Sequence, residues 1–325
     1  MTKLKPEIKK SILRELCSRG IVKLEDLNFP PELFIPLKTG NTVDKLLSYD
    51  GGLYKSTNIM FDGDPGTGKT TCTLNILCDI VANNEGAEGL FVSAEMNPVD
   101  MKMYAKRYPK FNKVNTLFVG GIPEKELIEM LEKEFNHGYD VIMIDSVVEL
   151  QLAIRESAYF ISDKRTRDLL TSEKGSFGYL LDLLEKQNMA ENERGVYTSS
   201  LLIQQVNKSG IFVGSNRIKH MTTASFHYLF YDSSQEDRYL VSSKNRRGPV
   251  GKPLFYDISG NDLISYNTKK FNEDEKNRAK KVEEKENKNK QILDFDEAFG
   301  FNIDKQAFNE TVLSEKEKFE ELKNK

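Results

Sequence analysis

Residues Gly63-Asp64-Pro65-Gly66-Thr67-Gly68-Lys69-Thr70 satisfy the pattern G-x-x-x-x-G-K-[ST], and no other stretch constrains the fold so tightly. The flanks fit it. Asn58 to Asp62 is a short, mostly apolar run of strand type, and Thr71 to Val81 is apolar at helical spacing without proline. Strand, glycine-rich loop and helix in that order make a phosphate-binding P-loop. Its glycines let backbone N–H groups turn inward around phosphate oxygens, and the helix that follows begins with the positive end of its dipole there. Lys69 is expected to reach the β- and γ-phosphates and the Thr70 hydroxyl to hold Mg²⁺. The expected nucleotide contacts are Gly63, Asp64, Pro65, Gly66, Thr67, Gly68, Lys69, Thr70 and Thr71, with ATP and Mg²⁺ as cofactors.

The pattern downstream extends this start. Gly89–Ser93 reads as a buried strand, followed by a helical stretch through Tyr108 and a strand over Thr116–Val119. Lys125–Asn136 is an amphipathic helix, and Asp140–Asp145 is an apolar strand ending in an acid. Strands alternating with helices predict an α/β fold with a mostly parallel sheet flanked by helices. Ser146–Ser176 reads as an irregular basic loop, Gly178–Met189 as a helix and Ser200–Val206 as another buried strand. Phe226–Tyr231, Tyr239–Ser243 and Leu254–Ile258 predict antiparallel strands closing one edge. Three divisions are expected: an N-terminal helical lead-in over 1–37, an ATPase core over 38–268, and a charged linker and C-terminal tail over 269–325.

Composition excludes several classes. The chain has 325 residues, three cysteines and a formal net charge of -3. Bulk charge therefore gives no argument for nucleic acid, which would need a local basic surface. Cys17, Cys72 and Cys78 sit in apolar helical contexts as reduced core residues. His137, His220 and His227 have no metal-ligand spacing. No apolar run is long enough to span a bilayer and no signal peptide is recognised, so a cytoplasmic protein without a membrane partner is expected.

The remaining chemistry lies at strand ends. Asp145 stands where a metal-orienting Walker B acid is required. Glu95 follows the strand after the P-loop helix, in the crevice where open α/β sheets bind ligands, and can polarise an attacking water; an acid favoured by a helix N-terminus is the alternative. Gln204 and Gln205 end the next strand, as a plain polar strand end or as an amide placed to sense the γ-phosphate. Lys244-Asn245-Arg246-Arg247-Gly248-Pro249 ends a late strand with clustered positive charge, either a surface turn or a finger that neutralises charge across a subunit boundary. Two basic loops, one with Arg155, Lys164, Arg165 and Arg167 and the other with Lys208, Arg217 and Lys219, are candidate DNA contacts. Phenylalanines spaced among acids in the tail suit either packing back on the core or a surface for a protein partner.

Together these residues resemble the RecA-like ATPase core, and more closely its RadA/Sms and DnaB-type helicase branch. The carriers are Gly51-Gly52-Leu53 ahead of the P-loop, Phe91-Val92-Ser93-Ala94-Glu95-Met96, Ile144-Asp145-Ser146, Leu202 to Lys208, and Lys244 to Gly251. The last resembles the RadA K-N-R-F-G motif, with Arg247 where Phe is usual, and equally the DnaB K-x-R-x-G-P-x-G run. The resemblance covers about residues 38–268. It implies Glu95 as catalytic glutamate, Asp145 as Walker B, Gln205 as sensor, and Lys244 and Arg246 acting on the neighbouring subunit's nucleotide.

By that resemblance the chain is expected to be an ATP-dependent DNA motor, a ring-forming helicase or branch-migration factor in recombination, repair or replication. It would act as a homo-oligomer, a hexameric ring, on single-stranded or branched DNA in a bacterial or phage-infected cytosol. A RecA-type strand-exchange filament and a KaiC-like regulatory ATPase are the alternatives. The zinc module and Lon-like domain of RadA find no counterpart here, nor does the larger N-terminal domain of DnaB.

Overall fold

In a computed structural model of the chain, the described residues are 27–205, 221–259 and 263–277, with the isolated positions 23, 25 and 280. Lys208, Arg217 and Lys219, Cys17, nearly all of the N-terminal lead-in before residue 27, and the tail beyond 280 lie outside them.

The chain builds one nine-stranded sheet in the order β3-β2-β4-β5-β1-β6-β7-β8-β9. The strands are β1 (Asn58–Gly63), β2 (Gly89–Ser93), β3 (Asn115–Phe118), β4 (Val141–Asp145), β5 (Ser199–Ile203), β6 (Ala224–Phe230), β7 (Arg238–Asn245), β8 (Leu254–Ser259) and β9 (Leu263–Tyr266). Strands β1 to β6 pair in parallel. Strands β6 to β9 pair antiparallel and form a wing on one side of β1. This is the mostly parallel RecA-like sheet with antiparallel edge strands that the sequence predicts; β9 is one strand more.

Ahead of β1 lies α1 (Asp44–Leu47), and between the strands lie α2 (Lys69–Asn83), α3 (Pro98–Arg107), α4 (Glu124–His137), α5 (Val147–Ala158), α6 (Lys164–Thr171) and α7 (Glu173–Asn188). Two apolar clusters sandwich the parallel half. On one face Leu74, Leu77 and Ile80 of α2 pack on Ile59, Phe61, Phe91, Met143 and Leu201. On the other, Leu131 and Phe135 of α4, Leu150 and Ile154 of α5 and Leu180 and Leu184 of α7 pack on Met60, Val92, Ile142, Ile144 and Leu202. Strands β1, β2, β4 and β5 are buried along their whole length because both faces are covered, whereas the edge strand β3 is not. The wing contributes Phe226, Tyr228, Leu240, Leu254 and Tyr256 to the first cluster. Residues 268–277 are helical and seat Phe271, 2% exposed, in the same cluster.

The segment after β4 differs from its expectation. The residues predicted as an irregular loop over 146–176 are helical in α5, α6 and the start of α7. Three capping side chains account for it. Ser146 accepts from the Glu149 N–H, Asp163 from Thr166 and Ser172 from Gly175, each satisfying an N–H that a helix start leaves open. The apolar stripe of Val147, Leu150 and Ile154 seats α5 on the sheet. Arg155, Lys164, Arg165 and Arg167 are thus helical residues, not loop residues.

Candidate nucleotide site

The loop after β1 has the geometry its glycines permit. Gly63, Gly66 and Gly68 have φ of 140°, 84° and 90°. A Cβ on Gly63 would sit 2.0 Å from the Tyr228 carbonyl oxygen, and one on Gly68 2.2 Å from Ile258 Cδ1. Both positions have a left-handed backbone, and at Gly63 the close atom is fixed backbone, so glycine is required there twice over. The wing holds the loop from the other side, since Tyr256 Oη donates to the Thr67 carbonyl at 2.8 Å. Lys69 Nζ donates to the carbonyls of Gly63 (2.9 Å) and Asp64 (3.0 Å), folding back along the loop it serves.

Around this loop opens a cleft of about 570 Å³. It is lined by Gly63, Pro65, Gly66, Gly68, Lys69, Thr70 and Thr71, and by Glu95, Asp145 and Gln205. The sheet order explains the meeting. β1, β4 and β5 end at the same edge, with β2 beyond them, so residues far apart in sequence converge. Thr70 Oγ1 donates to Asp145 Oδ2 at 2.5 Å, and Gln205 Nε2 donates to Glu95 Oε1 at 2.8 Å. Asp145 is 3% exposed. Burial pushes its pKa up to about 6, opposed by the Thr70 hydrogen bond and the Lys69 charge and reinforced by Glu95. Burial also lowers the Lys69 pKa, against the pull of Asp145, Asp64, Glu95 and Asp62. A hydroxyl and a buried carboxylate in contact are hard oxygen donors that suit a small divalent cation, and a cation there would relieve the cost of the buried charge.

The cleft also holds residues that the sequence reading passed over: Tyr104, Arg107 and Tyr108 from the end of α3, and Arg238 from the start of β7. Arg107 lies 5.6 Å from the Tyr108 ring and Arg238 5.4 Å from the Phe230 ring. The aromatic-basic run at the end of α3 was a local signal for the first group; for Arg238 only the strand pairing brings it near.

Lys244 and Arg246 do not join this cleft. Ala224 pairs Asn245 while Tyr228 pairs Leu240, and Ile59 pairs Ala224 while Gly63 pairs Tyr228. The basic turn therefore sits level with the beginning of β1 and the P-loop with its end, roughly 13 Å apart along the strands. Within the basic turn the residues divide their work. Asn245 Nδ2 donates to the carbonyls of Leu46 (2.9 Å) and Leu47 (3.2 Å). Arg247 Nη1 donates to Lys55 O (3.0 Å) and Thr57 Oγ1 (2.6 Å), and its guanidinium lies 5.7 Å from the Tyr54 ring. These two bind the turn to the segment before β1. Arg246 is exposed, and the half-buried Lys244 donates through Nζ to Thr222 O at 2.6 Å.

Of the basic residues on the helices, Arg155 Nε donates to Thr171 O and Arg167 Nη1 to Ile161 O, both at 3.1 Å. Lys164 and Arg165 are exposed. Between α5 and α6, Tyr159 and Phe160 are 69% and 57% exposed.

No family model matches the chain. Its sequence is similar to the DNA repair protein RadA of Campylobacter jejuni, at 25% identity over 225 residues, 69% of this chain and 45% of that protein. The RadA of Rickettsia bellii is 28% identical over 224 residues, 68% of this chain and 44% of the relative. The chain thus spans about half the length of the curated relatives it matches. Among solved structures, a KaiC-like protein from Pyrococcus horikoshii superposes with a TM-score of 0.49 at 18% identity, over 71% of this chain and 98% of that one. No described helix is long and apolar enough to cross a membrane. With a P-loop at the end of β1, an acid at the end of β4 and this sheet order, the chain carries a RecA-like P-loop ATPase core whose sequence is similar to that of RadA.

Proposed function

We propose that the chain is an ATP-hydrolysing DNA motor of RadA or DnaB type, working as a ring of identical subunits. The observation that carries the proposal is the paired contact at one strand edge, Thr70 on Asp145 and Gln205 on Glu95. One pair can hold a metal and the other can direct a water, on either side of Lys69. Lys69 releases the loop carbonyls and turns to the β- and γ-phosphates when nucleotide enters. Glu95 takes the proton of the attacking water, and Gln205, bonded to it, senses whether the γ-phosphate is present. Mg²⁺ held by Thr70 and Asp145 would neutralise charge on the β- and γ-oxygens.

Lys244 and Arg246 complete the neighbouring subunit's site. Support comes from their position at the far end of β7, out of reach of their own P-loop. The DNA reading is supported by the similarity to proteins named for DNA repair and by the corner between α5 and α6. There exposed Tyr159 and Phe160 stand beside Lys164 and Arg165, aromatic faces for bases next to charge for phosphates. Arg155 and Arg167 border this corner, and Lys208, Arg217 and Lys219 extend the basic set in sequence.

The test is ATPase turnover with and without single-stranded and branched DNA. Turnover that rises with DNA is expected. Steady ATPase activity that no DNA alters would overturn the motor reading and leave a nucleotide hydrolase acting on something else.

A further inference from the structure

The P-loop strand and the basic turn are joined by a line of side chains that the reaction above does not use. Asp62, the residue before Gly63, is 4% exposed on β1. One of its carboxylate oxygens meets Nδ1 of His227 on β6. Its other oxygen is buried with no hydrogen-bond partner among the described residues, so His227 supplies the side-chain hydrogen bond seen at this carboxyl group. His227 Nε2 meets Ser243 Oγ on β7 at 2.5 Å.

The register explains how Ser243 gets there. Asp62 pairs His227, and His227 pairs Val241. Phe226 pairs Ser242, whereas Ser225 pairs Lys244, with the register shifting between Ser225 and Phe226. Ser243 is the extra residue of a β-bulge. Ser242, opposite the core residue Phe226, is buried at 1%, and paired residues share a face. Alternation from Ser242 puts Ser243 on the face of His227, and the bulge keeps Lys244, which pairs Ser225, on that same face instead of returning it to the core side. The three hydrogen-bonded residues cross β1, β6 and β7 on a diagonal, from the edge of the P-loop to the residue before Lys244. Ser243 is exposed on an open sheet face, not enclosed in a cleft as a nucleophile is.

We infer that Asp62, His227 and Ser243 form a strut that positions Lys244 and Arg246 for the neighbouring subunit's nucleotide and ties that position to the subunit's own P-loop. The inference rests on the proposed trans role of the basic turn. These three are positioning residues: none of them lines the cleft around the P-loop. When nucleotide draws Lys69 away from the Gly63 carbonyl, the end of β1 shifts its contacts. A hydrogen-bonded line with a buried, singly partnered carboxylate transmits that shift to β7. A misplacement of about 1 Å at a group acting on a transferring phosphoryl costs up to about a hundredfold in rate.

The test uses Ser243, whose exposure makes folding insensitive to its side chain. Ser243→Ala is expected to bind ATP with unchanged Kd and to lose about tenfold in kcat, and Ser243→Thr, which keeps the hydroxyl, to recover it. Ser243→Ala and Arg246→Ala are each then mixed with Lys69→Ala subunits, whose basic turn is intact. Activity should return in both mixtures. Unchanged kcat in Ser243→Ala overturns the strut, as does rescue of Arg246→Ala without rescue of Ser243→Ala. If neither is rescued, the trans reading itself has failed and the strut goes with it.

Discussion

The parallel half of the sheet and its antiparallel wing are built on different terms. Strands β1, β2, β4 and β5 are buried from end to end between two helical layers. Their cleft residues are at their carboxyl ends, where Asp145, Glu95 and Gln205 emerge beside the P-loop. Among the described residues the wing is covered on one face. In β7 the buried Leu240 and Ser242 alternate with the less buried Val241 and Ser243, and its open face holds the His227–Ser243 contact and the approach to Lys244. A strand covered on both sides can serve only the site at its tip. A strand open on one side can present groups along its length, including to another subunit. One chain can then contribute two halves of two different sites.

The sharpest break in this contrast is at Gly63, where the two halves touch. Gly63→Ala would drive a Cβ into the Tyr228 carbonyl of β6 at a left-handed φ. It should abolish nucleotide binding and cost more than about 3 kcal/mol in stability, measurable by isothermal titration and chemical denaturation. Within the parallel half, Lys69→Ala should lose nucleotide binding. Glu95→Gln should keep it and hydrolyse at least about a hundredfold more slowly, because in the proposed reaction Glu95 acts on water and not on phosphate. A Glu95→Gln protein with wild-type turnover would show that another residue is the base.

Two neighbouring arginines sharpen the account of the wing. Arg247 binds its own chain, and Arg246 is free to face outward. Arg247→Ala should lower the denaturation free energy by about 1–3 kcal/mol by leaving buried acceptors unpaired, whereas Arg246→Ala should leave it unchanged and remove ATPase activity. Equal loss of stability in both would erase the distinction. At the helical corner, Tyr159→Ala with Phe160→Ala should weaken single-stranded DNA binding by about 1–3 kcal/mol per lost stack without changing basal ATPase activity, as read by fluorescence anisotropy.

A smaller effect belongs to Asp145. Its pKa is raised to about 6 in the folded chain, against about 3.9 when unfolded. Between these values the folded state binds more protons, so stability without metal should fall as pH rises from about 4 to 6, by about 1–3 kcal/mol. Asp145→Asn should flatten that slope, as followed by denaturation at several pH values.

Much of the parallel half was legible in the sequence because strands buried on both faces read as unbroken apolar runs, and because the P-loop ties residue type to backbone geometry. The 146–176 stretch was not, since its basic and polar composition concealed the caps at Ser146, Asp163 and Ser172. Arg238 and the line from Asp62 to Ser243 were invisible for another reason. They depend on strand register and on one bulge, and a single extra residue changes which face a side chain occupies without leaving a mark in composition. The division between Arg246 and Arg247 has the same origin, because adjacent residues of one type face different surroundings.

The central claim is that the two ends of the sheet serve different active sites, and mixing tests it most directly. Lys69→Ala subunits, defective at the P-loop, and Arg246→Ala subunits, defective at the basic turn, should each be inactive alone. Combined, they create interfaces that carry an intact Lys69 from one subunit and an intact Arg246 from its neighbour, and ATPase activity should return with a maximum at intermediate ratios. Mixed assemblies that demonstrably form yet show no activity at any ratio would contradict the account.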